Sequence, residues 1–308
     1  MRLDPDIAAI IDALNTNFPR VRSMNAAQVR AVIRGRLKLP ETPEPVGSVT
    51  DIAVGSPAGD IPVRIYRPDS DAVGVIVFSH GGGFVFCDLD SHDTLCRSMT
   101  NGVGAVVISV DYRLAPEHPW PAAADDVYAV TAWAADHAAE LQAPDDRLVV
   151  AGDSAGGNLS AVTALMARDR GGPPIAGQVL IYPVIGADFE TESYHTYATG
   201  YYSTRETMQW YWDQYVPGTA DRTHPYANPL SADLGGLPPA IVITAGFDPS
   251  RSEGEQFAAA LAAAGVPTVH RSYEGGIHGF MTMPGIELGA RARTRLWADI
   301  RGMLSPTG

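Results

Sequence analysis

One serine-centred motif restricts what this chain can fold into more than any other feature. The motif reads G-D-S-A-G at residues 152–156, after the apolar run 148–151 and before the alanine-rich stretch 159–168. Glycines two positions before and two positions after the serine let the backbone on both sides of a sharp strand-to-helix turn approach closely. Such a turn exposes Ser154 at the end of a strand and leaves the N–H of Ala155 free at the start of a helix.

A second glycine-rich motif, H-G-G-G-F at residues 80–84, follows the apolar run 73–78. Three successive glycines allow backbone N–H groups to approach a ligand closely. A phosphate-binding loop would need G-x-x-x-x-G-K-[ST] or G-x-G-x-x-G, and this segment has neither pattern. The motif instead matches a loop that completes an oxyanion hole beside a nucleophilic serine. The predicted donors are the N–H groups of Gly81, Gly82, Gly83 and Ala155, and the sequence leaves open which of the glycines contribute.

The candidate base and acid follow the serine along the chain. Asp248 comes directly after the strand-like run 240–247, and His278 lies among glycines after the strand-like run 268–273. Pro249 favours an extended or turn conformation at Asp248, which would hold the carboxylate at the carboxyl end of its strand. Asp248 would accept the Nδ1–H of His278, so that Nε2 could take the proton of the serine hydroxyl.

Two other residues could be mistaken for members of this triad. His80 is an alternative base, although its position before three glycines favours a bracing role. Glu253 is an alternative acid, but it lies at the start of a predicted helix, where an acidic residue is common for electrostatic reasons. Arg113 and Glu117 are predicted to form a structural charge pair.

These motifs together resemble the hormone-sensitive-lipase-like group of α/β hydrolases, the bacterial family IV carboxylesterases. The matching segments are H-G-G-G at 80–83, D-Y-R-L-A-P-E at 111–117, G-D-S-A-G-G-N at 152–158, D-P at 248–249 and I-H-G-F at 277–280. The chain departs from the family pattern at Ser250 and Ser252, after the candidate acid.

The strand-like runs alternate with helical patterns, which predicts an α/β fold with a mostly parallel, eight-stranded sheet and helices on both faces. The resemblance implies a helical cap above the site, formed by an N-terminal segment (1–45) and an insertion at about 186–226 in the catalytic domain 46–308. The insertion is rich in Trp and Tyr, which indicates a buried partner surface. Phe84, Tyr201, Trp210 and Phe280 are the predicted substrate contacts.

The resemblance implies a serine carboxylesterase that hydrolyses short- to medium-chain esters without metal or organic cofactor. An amidase using the same triad and a non-catalytic ligand-binding receptor of the same fold are the alternatives. The residues Ser154, Asp248 and His278 are all present, which favours an enzyme, because such receptors lose the histidine. Family members often pair the last strand of the sheet, so a homodimer through residues 268–273 is expected.

Composition excludes several other classes of protein. A net charge of −13 and an isoelectric point near 4.9 argue against nucleic acid or an anionic membrane as partner. The two cysteines, Cys87 and Cys96, give neither a disulfide framework nor a metal-ligand pattern. No apolar stretch approaches the length of a membrane span, and the first residues lack the apolar core of a signal peptide. A small-molecule substrate and a cytoplasmic location are therefore expected.

Overall fold

The computed structural model describes residues 1–305 as a single central sheet with helices on both faces. The strands are β1 (Ser48–Ser56), β2 (Gly59–Arg67), β3 (Val75–Ser79), β4 (Val106–Val110), β5 (Leu148–Asp153), β6 (Gly177–Ile181), β7 (Ala240–Phe247) and β8 (Thr268–Ile277). Their order across the sheet is β1-β2-β4-β3-β5-β6-β7-β8. The pairs β1–β2 and β2–β4 are antiparallel, and all other neighbouring pairs are parallel. The predicted α/β-hydrolase fold class is confirmed.

Helices cover both faces of the sheet. They are α1 (Pro5–Asn17), α2 (Ala26–Arg36), α3 (Asp93–Val103), α4 (Ala122–Asp136), α5 (Ala155–Arg170), α6 (Glu192–Thr196), α7 (Arg205–Tyr215), α8 (Arg251–Ala263) and α9 (Glu287–Met303). Alternate side chains of β3 enter different cores: Val75 and Val77 pack with residues of α4 and α5, whereas Ile76 and Phe78 pack with residues of α3 and α9. Burial on both faces explains why the central strands read as continuous apolar runs.

The first two helices begin as their capping residues predict. The Asp4 side chain accepts the N–H of Asp6 at the start of α1, and Asn25 with Gln28 forms a reciprocal capping box at α2. No helix within residues 1–305 is long and apolar enough to cross a membrane.

Polar side chains fasten these helices to the rest of the molecule. The guanidinium of Arg30, on α2, forms a bidentate pair with Glu117 and donates to the carbonyl oxygens of Val85 and Ala115. The expected Arg113–Glu117 pair is therefore wrong, because Glu117 faces α2. Arg113 pairs instead with Asp126 on α4. Spacing along a loop does not fix which of its charged side chains face each other.

The insertion is tied to α1 by one asparagine. Asn15 donates from Nδ2 to the carbonyl of Gly200 at 2.9 Å, and its Oδ1 accepts the N–H of Tyr202 at 2.8 Å. The rings of Phe18 and Tyr202 then meet edge to face, with centroids 5.1 Å apart. The two chain segments that the family resemblance assigns to a cap thus contact each other through both polar and aromatic groups.

The sheet topology brings the predicted functional segments to one edge. Residues directly after β3, β5, β7 and β8 are His80, Ser154, Asp248 and His278. These four strands run parallel, so their carboxyl ends lie on the same side of the sheet. Open parallel sheets commonly bind ligands at this edge.

Candidate active site

Ser154 lies at a strained turn between β5 and α5. Its backbone has φ 56° and ψ −117°, a region that residues with a Cβ rarely adopt. The turn brings neighbouring chain so close that a Cβ on Gly156 would lie 1.9 Å from the carbonyl oxygen of Ser79. Glycine is therefore required at Gly156. Because α5 begins at Ala155, that residue's N–H has no acceptor within the helix.

The structure brings the three predicted triad residues into one hydrogen-bonded chain. Ser154 Oγ lies 2.8 Å from His278 Nε2, and His278 Nδ1 lies 2.7 Å from Asp248 Oδ2. With the proton on Nδ1, the histidine donates to Asp248 and its Nε2 accepts the serine hydroxyl. All three side chains are buried, and Asp248 is fully shielded from solvent. This arrangement suits transfer of the serine proton to the imidazole.

Asp248 is held by Ser250, one of the two serines at which the chain departs from the family pattern. The N–H and the hydroxyl of Ser250 both donate to Asp248 Oδ1, each at 2.8 Å. The other carboxylate oxygen stays available to His278. Ser252, the second departure, exchanges hydrogen bonds with Ser193 of α6 at 3.0 and 3.2 Å. Ser250 and Ser252 thus make polar contacts that fix the loop that follows Asp248.

The environment of His278 favours its protonated form. Burial by itself lowers the pKa of His278, but the negative charge of Asp248 and its hydrogen bond outweigh burial, so the pKa is raised above its usual value. An imidazole that becomes more basic in this way is suited to accept the serine proton.

Glu253, the alternative acid, is not part of the hydrogen-bonded chain formed by Ser154, His278 and Asp248. Its carboxylate accepts the N–H of Gly186 at 2.9 Å and lies 3.3 Å from the hydroxyl of Tyr194. Burial raises the pKa of Glu253 to about 8, so the carboxyl is largely protonated at neutral pH. These contacts connect α8 to the start of the insertion, which agrees with a structural assignment.

His80, the alternative base, braces the glycine loop. Its Nδ1–H donates to the carbonyl of Gly81 at 2.7 Å, and its ring stacks on Tyr112 with centroids 4.3 Å apart. The Tyr112 hydroxyl also donates to the His80 carbonyl at 2.8 Å. Burial lowers the pKa of His80 to about 4, which leaves the ring neutral and weakly basic.

One of the predicted oxyanion donors is already used. The N–H of Gly81 donates to Asp153 Oδ1 at 2.9 Å, so Gly81 is removed from the predicted donor set. Gly82, Gly83 and Ala155 remain candidates. Gly82 has φ +113°, and a Cβ there would lie 2.2 Å from the carbonyl oxygen of Phe86, which explains the need for glycine. The sequence missed the Gly81 contact because it depends on where the Asp153 side chain points.

A cavity of about 130 Å³, here termed the Ser154 cavity, lies above the serine. Besides Ser154, His278 and the three glycines, its wall includes Phe18, Phe86, Cys87, His92, Tyr182, Tyr202, Tyr211 and Met283. The larger α1–α2 cavity, about 660 Å³, lies beside it between the first two helices and the segment after the glycine loop. Phe18, Phe86, Cys87 and Tyr202 line both cavities.

The four aromatic residues predicted to contact substrate do not line either cavity. Phe84 stacks on Tyr215, Tyr201 packs on Tyr197 and Phe247, Trp210 packs on Tyr211, and Phe280 packs between Tyr182 and Tyr273. Phe84, Trp210 and Phe280 are buried in the core, and Tyr201 is partly buried against it. Tyr202 and Tyr211, the sequence neighbours of Tyr201 and Trp210, line the Ser154 cavity instead. The aromatic insertion does line the Ser154 cavity, through Tyr202 and Tyr211, but the direction of each side chain is not readable from composition. Phe18, at the end of α1, carried no sequence signal of its own.

Neither a disulfide nor a metal cluster occurs in the part of the chain that the structure describes. Cys87 and Cys96 are free thiols, and burial raises the pKa of Cys87 to about 12. Within residues 1–305, no group of three His, Cys, Asp or Glu side chains is placed to hold a metal ion.

Comparison with known proteins gives the family. A family model described as the alpha/beta hydrolase fold matches residues 76–282. The chain is 41% identical over 287 residues to the carboxylesterase NlhH of Mycobacterium tuberculosis, covering 90% of this chain and 89% of that protein. It is 44% identical over 267 residues to the carboxylic ester hydrolase LipN of the same organism, covering 83% of this chain and 71% of LipN.

A solved structure agrees with these relatives over almost the whole chain. The hyperthermophilic esterase from the archaeon Pyrobaculum calidifontis superimposes with a TM-score of 0.91 at 41% sequence identity, covering 99% of this chain and 100% of that one. The chain therefore belongs to the hormone-sensitive-lipase-like family of carboxylic ester hydrolases within the α/β-hydrolase superfamily.

Proposed function

We propose that this carboxylic ester hydrolase cleaves short- to medium-chain esters through an acyl-enzyme on Ser154. The observation that carries the proposal is the continuous hydrogen-bonded chain from Ser154 through His278 to Asp248, which opens into the Ser154 cavity. The named relatives are esterases, which supports a small-molecule ester as the substrate.

In the proposed reaction, Ser154 Oγ attacks the ester carbonyl carbon while His278 Nε2 takes the hydroxyl proton. The carbonyl oxygen becomes an anion, which the N–H groups of Gly82, Gly83 and Ala155 would stabilise. The C–O bond to the alcohol then breaks, and His278 gives its proton to the leaving oxygen. Water attacks the acyl-enzyme with His278 again as base, which releases the carboxylic acid and restores the serine.

The two cavities support an apolar acyl group of limited length. At roughly 30 Å³ for a water-sized group, the Ser154 cavity of about 130 Å³ holds only a short chain. A longer chain would pass between Phe86 and Tyr202 into the α1–α2 cavity, whose wall includes Ile10, Leu14 and Ile33. In this proposal the N-terminal segment and the insertion form a cap that determines how long the acyl group can be.

An assay over matched substrates tests the function and the role of the cap together. We expect turnover of p-nitrophenyl acetate, butyrate and octanoate, with much slower cleavage of p-nitroacetanilide. Ile33→Trp should fill the α1–α2 cavity and lower kcat/KM for octanoate more than for acetate. Each methylene that loses its buried site accounts for up to about 0.8 kcal/mol, or roughly fourfold in kcat/KM.

The matched control is Ala31→Trp, which adds the same side chain to an exposed position of α2. It should leave the chain-length profile unchanged. Faster cleavage of the anilide than of the esters would favour the amidase, and binding without turnover of any substrate would favour the receptor. An unchanged profile in Ile33→Trp would contradict the proposed route for long acyl chains.

We also propose a homodimer through β8. This strand is the last of the sheet, and its Val269 side chain is 43% exposed. An open strand edge readily pairs with a second copy. Sedimentation at micromolar concentration should give about twice the chain mass, and Val269→Lys should shift the protein towards the monomer. A single 32.7 kDa species for the unaltered protein would contradict this proposal.

A further inference from the structure

Asp153, the residue before Ser154, carries a buried carboxylate that the proposed mechanism does not use. It is 4% exposed, and a buried charge costs free energy unless hydrogen bonds and an opposite charge compensate it. Its Oδ1 accepts the N–H of Gly81 at 2.9 Å and lies 3.2 Å from His92 Nε2. Burial opposes ionisation, but the charge of His92 and the hydrogen bonds outweigh it and lower the pKa of Asp153. The carboxylate is therefore ionised.

His92 is fixed at both ring nitrogens. It is 6% exposed, lies directly before α3 and belongs to the wall of the Ser154 cavity. Its Nδ1 is 3.0 Å from Ser91 Oγ, whose own proton is donated to the carbonyl of Asp88 at 2.7 Å. An ionised carboxylate can only accept, so His92 Nε2–H donates to Asp153. The contact with Ser91 Oγ holds the other ring nitrogen in place.

The Asp153 carboxylate packs directly on the glycine loop. A Cβ on Gly81 would lie 2.5 Å from Asp153 Oδ2, so there is no space between the carboxylate and this peptide. The loop is held on its other side by Tyr112, whose hydroxyl donates to the carbonyl of His80. The Gly81 peptide is thus fixed immediately before the two glycines whose N–H groups remain candidate donors.

We propose that His92 and Asp153 form a second imidazole–carboxylate pair that positions the Gly81 peptide and so aims the N–H groups of Gly82 and Gly83 at the oxyanion. Both are positioning residues, since they act through the glycine loop and not on the reacting atoms. The inference rests on the proposed function, because it requires an oxyanion at Ser154.

Paired substitutions at the two positions test this role. Asp153→Ala removes the acceptor of the Gly81 N–H, whereas Asp153→Asn keeps an oxygen there. His92→Leu removes the donor to Asp153, whereas His92→Gln keeps an N–H close to the position of Nε2. Asp153→Ala should lower kcat by about 10²–10³, the range for loss of an oxyanion donor. His92→Leu should lower kcat by a smaller factor. The kcat of Asp153→Asn should exceed that of Asp153→Ala by at least about tenfold, and the same should hold for His92→Gln over His92→Leu.

A split between kinetic constants separates positioning from general loss of structure. KM for p-nitrophenyl acetate should change by less than about threefold, because the ground-state carbonyl needs the donors less than the oxyanion does. The inhibition constant of an alkyl trifluoromethyl ketone, which forms a tetrahedral adduct on the serine, should rise by the same factor as kcat/KM falls. His270→Leu is the matched control: this histidine contacts Thr244 on β7, and the variant should keep its activity.

The outcomes distinguish the inference from the function on which it rests. A kcat for His92→Leu equal to that of the unaltered enzyme would overturn the positioning role. So would a lower kcat with an unchanged inhibition constant for the trifluoromethyl ketone. If Asp153→Ala does not fold, the comparison of His92→Leu with His92→Gln tests the inference by itself. In that case a kcat for His92→Gln no higher than that for His92→Leu would contradict the inference. Activity in Ser154→Ala would instead overturn the proposed function. Inactive Ser154→Ala beside fully active His92→Leu would overturn only the inference.

Discussion

Replacing Ser154 by alanine is expected to lower kcat by on the order of 10⁶, the scale found when a serine hydrolase loses its nucleophile. The reason is the 2.8 Å contact between Ser154 Oγ and His278 Nε2, which marks the hydroxyl as the group that would be deprotonated. The measurement is kcat on p-nitrophenyl acetate, together with mass spectrometry for an acyl adduct, which should form in the unaltered enzyme only.

His278→Ala should cost nearly as much, and the double variant little more, because the two residues act as a unit. Ser231→Ala, at an exposed position outside both cavities, is the matched serine control and should keep full activity. If His278→Ala retained more than a tenth of the activity, the proposed base would be wrong.

Local patterns were enough to predict much of this molecule. The central strands were readable because both of their faces are buried, so each appears as an apolar run that ends near a turn residue. Ser154 and Asp248 follow such runs, at β5 and β7. His278 follows β8, an edge strand of mixed apolar and polar residues in which most side chains are half-buried or exposed. Parallel strands that end at a common edge bring residues far apart in sequence together, and the 2.7 and 2.8 Å contacts follow from that topology.

Side-chain direction was the part that the sequence did not determine. Gly81 was predicted as a donor because its neighbours are glycines, but the Asp153 carboxylate takes its N–H. Tyr201 and Trp210 are the predicted contacts, but they pack on other aromatic side chains, whereas the next residues, Tyr202 and Tyr211, face the Ser154 cavity. The directions of the aromatic side chains depend on how the end of α1 and helix α7 pack on neighbouring segments, which composition does not encode.

The second large effect on activity is expected when the carboxylate of Asp248 is replaced. Asp248→Asn is expected to lower kcat by about 10⁴, because an amide cannot hold the Nδ1–H tautomer of His278 in the same way. Asp248→Asn should also shift the acidic limb of the pH profile, the pH range over which kcat/KM rises from its low-pH value. The base must be neutral, so activity rises with pH through the pKa of His278, which Asp248 raises above its usual value.

Without the carboxylate, the burial that lowers the pKa of His278 is no longer outweighed by Asp248, so the limb should move to lower pH in Asp248→Asn. Glu253→Gln is the matched control. Its buried carboxyl has a pKa raised to about 8 and is largely neutral at pH 7, so an amide of the same shape should leave kcat within about tenfold and the limb in place. Profiles of kcat/KM between pH 5 and 9 make the comparison. An Asp248→Asn limb that stays fixed, or a limb that moves equally in Glu253→Gln, would mean that the charge beside His278 does not come from Asp248.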